Sequence, residues 1–146
     1  TSPTNIGVYL CAILAARDFG WIGTAETVER LEMTLETMRR MERYRGHWLN
    51  WYDTVDLRPL EPRYISAVDS GNLAGNLLVL RNGCPEMADP VAPAIIAAGL
   101  KDHFELLREG LSAIPREHPA WARADAMAVT IRHGSLAVSH GPYASA

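Results

Sequence analysis

The chain of 146 residues carries 14 basic and 17 acidic side chains, a formal charge of −3, with 48% hydrophobic and 21% charged residues. That length suits one domain that can bury a core without a disulfide or metal staple, and the composition excludes a disordered, collagen-like or supercharged chain. It also lacks the basic excess with which proteins neutralise phosphates, so nucleic acid is not an expected partner.

Two cysteines, Cys11 in an apolar run and Cys84 before Pro85, offer neither a disulfide framework nor a CxxC metal pair. The longest apolar stretches, 6–16 and 91–100, fall short of the ~20 residues that a membrane-spanning helix needs. No signal-peptide pattern opens the chain, and a start on Thr1 fits a processed product or a piece of something longer.

Ser2-Pro3 is an N-cap followed by proline at the first helical position, and the apolar pattern runs on until Asp18-Phe19-Gly20, predicting a first helix over Pro3–Asp18. Its middle is apolar on every face, which predicts an inner, buried helix. Thr24 is the expected cap of a second helix over 25–44, with Val28, Leu31, Leu35 and Met38 inward and a charged face outward; Arg45-Gly46 is its stop. That charge run is best explained as a solvated face with spaced ion pairs.

Residues 46–68 have no sustained period and many aromatic residues, the signature of a long functional loop. Asp69 or Ser66 then caps a third helix to about residue 82, again apolar over most of its circumference, with Gly83 as its stop. A fourth helix is expected from Asp89-Pro90 to about residue 113, with Pro93 in its first turn. A fifth is expected from His118-Pro119 to Gly134, and the tail beyond has no recognisable period. No strand of useful length is predicted. The fold class is all-α, built of stacked antiparallel helical hairpins that continue as a solenoid or close as a toroid.

Short connections make successive helices antiparallel. The N-terminal residues, the long loop and the start of the third helix should therefore meet at one end, where helix N-termini favour hydroxyl, carboxylate or phosphate ligands. Sugars offer apolar CH faces rimmed by hydroxyls, and so call for flat aromatic rings beside carboxylates, amides and guanidinium groups. Trp48, Asn50, Trp51, Tyr52, Asp53, Arg63 and Tyr64 of the loop, with Asp69, Ser70 and Asn72 beyond it, are the candidate substrate contacts. The competing explanation for Trp48 and Trp51 is that they anchor the loop to the core. Asp53 and Asp69 argue against anchoring alone, since carboxylates would not help it.

Thr4, Asn5, Trp51, Asp53, Arg63, Asp69 and Asn72 are expected at that one end, with Arg63 as the bidentate partner of Asp53 or Asp69. Asp53 with Asp69, or Asp56 with Asp69, has the composition of a glycosidase carboxylate pair. Helix capping explains Asp69 equally well, and no catalytic residue is assigned. The five histidines never take the i, i+4 spacing of a helical metal site, so neither metal nor cofactor is expected. His118 is the expected cap of the last helix.

Five runs carry a resemblance. They are Thr1-Ser2-Pro3-Thr4-Asn5-Ile6-Gly7, Asp18-Phe19-Gly20-Trp21-Ile22, Glu29-Arg30-Leu31-Glu32, Gly46-His47-Trp48-Leu49-Asn50-Trp51-Tyr52-Asp53-Thr54 and Pro62-Arg63-Tyr64-Ile65-Ser66-Ala67-Val68-Asp69-Ser70-Gly71-Asn72-Leu73-Ala74-Gly75. In this order and spacing they resemble the cyclic β-1,2-glucan synthases of bacteria, over roughly residues 1–83.

The resemblance implies the start of the glycoamylase-like, transglycosylating middle region of a very large inner-membrane enzyme. It implies part of an (α/α)6 toroid with a sugar site at the inner-helix mouth, and catalytic glutamates beyond this chain. The expected partners are a β-1,2-glucan or related oligosaccharide and the remainder of the parent chain. The region would lie on the cytoplasmic side of the membrane, inactive alone and prone to self-association through uncovered apolar surface. The other functional class is a non-catalytic helical module whose aromatic loop binds a protein.

Overall fold

The computed structural model describes residues 1–139. It is all-α apart from one two-stranded ribbon, and it divides into two compact units, Thr1–Ala92 and Pro93–Ala146.

In the first unit α1 spans Pro3–Asp18, as the capping signals predict. The Ser2 hydroxyl accepts the Asn5 N–H. At the other end Gly20 takes a positive φ of 72°, while the Gly20 and Trp21 N–H groups donate back to the Arg17 and Ala16 carbonyls. This Schellman closure stops the helix because only glycine enters the left-handed region without a Cβ penalty.

The second helix, α2, spans Thr24–Arg40. Gly23 is its N-cap and Thr24 its first residue, a shift of one from expectation, and it ends four residues early. The early end arises because Arg43–Tyr44 (β1) pairs antiparallel with His47–Trp48 (β2) around Arg45 and Gly46, both at positive φ. This tight hairpin turns Met41 and Leu49 into the core. Val28 stays exposed, while Thr27, Leu31 and Met38 are buried. The charged face is solvated and laced by the Glu26–Arg30 and Glu36–Arg39 pairs.

The third helix, α3, spans Ala67–Gly83 and runs into a 3-10 turn over Cys84–Ala88. Ser66, not Asp69, is its N-cap, accepting the Asp69 N–H. Gly83 is not a stop, since the chain passes through it in helical conformation. Its role is close approach, because a Cβ there would lie 2.9 Å from Leu14 Cδ1.

Helices α1 and α3 are parallel neighbours. Thr4 meets Asp69, the Cys11 thiol donates to Asn76 Oδ1 at 3.3 Å, and Leu14 meets Gly83, so the same ends coincide along the whole contact. They come close at Gly7, where a Cβ would lie 2.9 Å from Asn76 Cβ, the root of a side chain that cannot swing away. Gly7→Val is therefore expected to destabilise the unit by about 1–3 kcal/mol, read as a lowered urea midpoint.

Ile6, Leu10, Ile13 and Leu14 of α1, Leu31 and Met38 of α2, and Leu73 and Leu80 of α3 form the core with Met41, Leu49 and Tyr52. The expectation of wholly buried inner helices is corrected: Val8 and Tyr9 on α1, and Val68, Leu78 and Val79 on α3, are exposed, Val68 by 72%. Each helix packs on one side only.

In the second unit α4 spans Pro93–Ser112 and α5 spans Pro119–Ser139. The fourth helix starts three residues later than predicted because Asp89 is extended, its carbonyl held by Arg17 at 2.6 Å. Pro93 then takes the first helical position. At the start of α5 the His118 ring accepts the Ala120 N–H, the capping role expected of it. The helix continues through Gly134, a correction to the predicted stop. The rest of the aperiodic tail, 140–146, lies outside the described residues. No helix among the described residues is long and apolar enough to cross a membrane.

Candidate functional site

The antiparallel course of α2 delivers the loop to the end where α1 and α3 begin. Backbone pairing fixes it there: the Thr1 nitrogen donates to the Tyr52 carbonyl at 2.7 Å, and the Tyr52 N–H returns to the Thr1 carbonyl at 2.8 Å. Beyond Tyr52 the chain folds back on itself. Asp53 N–H donates to the Arg58 carbonyl and Leu60 N–H to the Trp51 carbonyl, closing a small hairpin.

Across the helix starts runs a polar chain. Asn72 Nδ2 donates to Thr4 Oγ1 at 3.2 Å, and the Thr4 hydroxyl donates to Asp69 Oδ1 at 2.5 Å. Thr4, Asp69 and Asn72 are thus together, and Trp51 and Asp53 flank the residue tied to Thr1, as helix polarity predicts. Asn5 is exposed in the first turn of α1.

The Thr4 hydroxyl, and after it that of Ser66, holds the Asp69 carboxyl below the usual aspartate value. Donors to the ionised form favour it, so the folded-state value lies under the ~3.9 of an unfolded aspartate. The corresponding stability is fully present above about pH 4 and is lost as pH falls through the lower folded value. Thr4→Val is expected to be less stable than wild type near neutrality by about 1 kcal/mol, with the gap narrowing in acid. Urea midpoints measured at a series of pH values check this.

Several candidate contacts prove to hold the loop instead. Tyr52 is fully buried, its hydroxyl donating to the Glu42 carbonyl and accepting the Leu49 N–H, so it cannot face a ligand. Asn50 is buried and spans to Tyr64, accepting the Tyr64 N–H on its side chain while its own N–H meets the Tyr64 carbonyl. Trp48 donates its indole N–H to the Met38 carbonyl at 3.3 Å and lies under the Arg43 guanidinium, which is the anchoring role.

The aspartates contradict the argument that carboxylates do not anchor. Asp53 accepts the Val55 N–H, which lowers its pKa and turns the small hairpin, and Asp69 joins α1 to α3. Arg63 pairs with Glu61 at 2.9 Å and Glu42 at 3.2 Å, not with either aspartate; the cation nearest Asp53 is Arg58 at 3.7 Å. One partner of Arg63 is local, Glu61 two residues away, and the other, Glu42, lies 21 residues back in the chain.

Trp51 (46% exposed), Tyr64, Asn72 and half-buried Ser70 and Asp69 remain open to a ligand. Ser70 and Trp48 line a small apolar cavity of about 110 Å³ with Pro3 and Leu73. That is below the roughly 300–1,000 Å³ of ligand pockets, so binding at this end would use its open surface. Thr4, absent from the candidate contacts, is the connecting hydroxyl. Its place in the first turn beside proline was the signal for it.

Fold and site define an all-α segment in which two parallel helices begin together beneath an aromatic, carboxylate-bearing loop. No protein-family model matches the chain. It is 50% identical over 117 residues, 79% of its length, to the cyclic beta-(1,2)-glucan synthase NdvB of Rhizobium meliloti (strain 1021). The chain is a relative of that glucan synthase and spans 4% of its length. A match of 117 residues also extends beyond the first 83 residues, where all the recognisable motifs lie.

Proposed function

We propose that the chain is part of a glucan-processing enzyme of the cyclic β-1,2-glucan synthase kind and contributes one wall of a glucan-binding cleft used in transglycosylation. The observation that carries this reading is that exposed Trp51, next to the Tyr52 backbone tied to Thr1, stands at the same end as the Thr4–Asp69–Asn72 set at the common start of α1 and α3. An exposed indole offers a stacking face to the CH side of a glucosyl ring. Asp69 and Asn72 offer an acceptor and a donor to its hydroxyls.

The uncovered apolar faces of α1 and α3 support a partial (α/α)6 toroid whose remaining helices come from the parent chain. The parent is an inner-membrane enzyme with this region on the cytoplasmic side, and the catalytic acids lie elsewhere in it. Purified residues 1–146 accordingly neither hydrolyse nor transfer glucosyl units, and they self-associate with rising concentration, as sedimentation would show.

Titration of β-1,2-gluco-oligosaccharides with tryptophan fluorescence as the readout tests the site. A saturable change that Trp51→Ala reduces and Asp69→Asn weakens supports it. No change in the chain or in the longer parent refutes it.

A further inference from the structure

The corner between α4 and α5 holds a second, larger concavity. Glu105, Arg108, Glu109, Ser112, Arg116 and Trp121 line an open cavity of about 510 Å³, within the size range of ligand pockets. Three observations make it more than a helix surface. The Trp121 indole N–H is buried without an acceptor among the described residues, a state that native proteins rarely leave uncompensated. The Arg116 guanidinium lies over the same ring, 3.8 Å from its centre. Arg108 and Glu109 face the cavity and have no ion pair among the described residues, although Glu105 pairs with Lys101 at 3.8 Å.

The lining's two guanidiniums and two carboxylates balance, so a polyanion or polycation gains little there. A neutral ligand rich in hydroxyls can donate to the carboxylates and accept from the guanidiniums and the indole in one pose.

We propose that this corner is a second saccharide-binding place, taking a short β-1,2-linked gluco-oligosaccharide. The ligand class rests on the reading of the chain as part of a glucan-processing enzyme. The place itself lies wholly within the second unit and uses none of the residues of the first site. On binding, a sugar oxygen supplies the acceptor that the Trp121 N–H lacks as the Arg116 side chain turns aside, and Arg108 and Glu109 hold neighbouring hydroxyls.

The experiment is a titration of the 15N-labelled 146-residue chain with β-1,2-linked glucotriose, following the four indole N–H resonances. The Trp121 signal is assigned from Trp121→Phe or, where that variant folds poorly, from the backbone. The Trp121 resonance is expected to move saturably, with affinity falling about fivefold in Arg108→Ala and in Glu109→Ala, both exposed positions whose loss leaves the fold intact. Trp51→Ala should leave the Trp121 response unchanged.

A still Trp121 resonance overturns the proposal, as does one that moves with the same affinity in both variants. If Trp51 responds and Trp121 does not, the first site stands and the second falls. If Trp121 responds and Trp51 does not, the first site falls alone.

Discussion

Tyr52→Ala is expected to cost about 3–5 kcal/mol, the range for removing a buried aromatic ring, against the ~5–15 kcal/mol that holds a typical domain together. The ring is fully enclosed in the core formed by α1, α2 and α3. Its hydroxyl joins the Leu49 N–H to the Glu42 carbonyl, the residues that flank the β1–β2 hairpin on its two sides. Tyr52→Phe keeps the ring and leaves those two backbone groups without their partner, at about 1–3 kcal/mol. Urea unfolding followed by circular dichroism separates the two variants. Tyrosine also directs its neighbour: adjacent residues of an extended segment point to opposite sides, so burying Tyr52 turns Trp51 outward. Tyr52→Ala should therefore release Trp51 as well, and the saccharide response of its indole should be lost with it.

Arg17→Ala is expected to cost about 3 kcal/mol, the second large effect. Arg17 is buried near the end of α1 and makes contacts in four directions. Its guanidinium donates to the Glu86 and Asp89 carbonyls at 3.3 and 2.6 Å, to the Thr24 hydroxyl at 3.3 Å and to the Asp18 carboxylate at 3.1 Å. It thereby ties the start of α2 and the turn after α3 to the end of α1. Alanine leaves the Asp89 carbonyl and the Thr24 hydroxyl without this donor in a partly buried place, where the desolvation penalty is not repaid, while the Glu86 carbonyl keeps the Asp89 N–H. Lysine keeps the charge but not the fork, and one ammonium cannot reach the same set of acceptors. Arg17→Lys is expected to fall between alanine and wild type in its urea midpoint. The damage should sit at the end of the helices remote from Trp51, so hydrogen exchange should rise first around Thr24 and over Cys84–Ala88.

The elements that were legible in the sequence are those whose limits are set by local chemistry. Ser2-Pro3 and Gly20 bound α1 through caps made within a turn of each end, so its span agrees residue for residue. Errors arise where a turn residue serves a distant partner. Gly83 resembles a helix stop but gives room to Leu14, 69 positions away in the chain. Asp89 resembles an N-cap but stays extended while its carbonyl is held by Arg17. Arg45-Gly46 is a turn signal in either case, and only the burial of Met41 and Leu49 selects a hairpin over a longer helix.

The candidate site divides along the same line. Helix polarity follows from the number of reversals, and by itself it brought the starts of α1 and α3 and the loop to one end; the sequence also determined the all-α class and the relation to the glucan synthases. Residue type says that Trp48, Trp51 and Tyr52 are aromatic, but not which ring turns inward. Only the tertiary structure decided that Tyr52 fills the core, Trp48 caps the end of α2 and Trp51 stands in solvent. It likewise gave Arg63 to Glu42 and Glu61, and Asp69 to Thr4. The physical reason is range: caps, turns and periodicity act within a few residues, whereas burial and polar pairing depend on which side chains the folded backbone brings within about 4 Å.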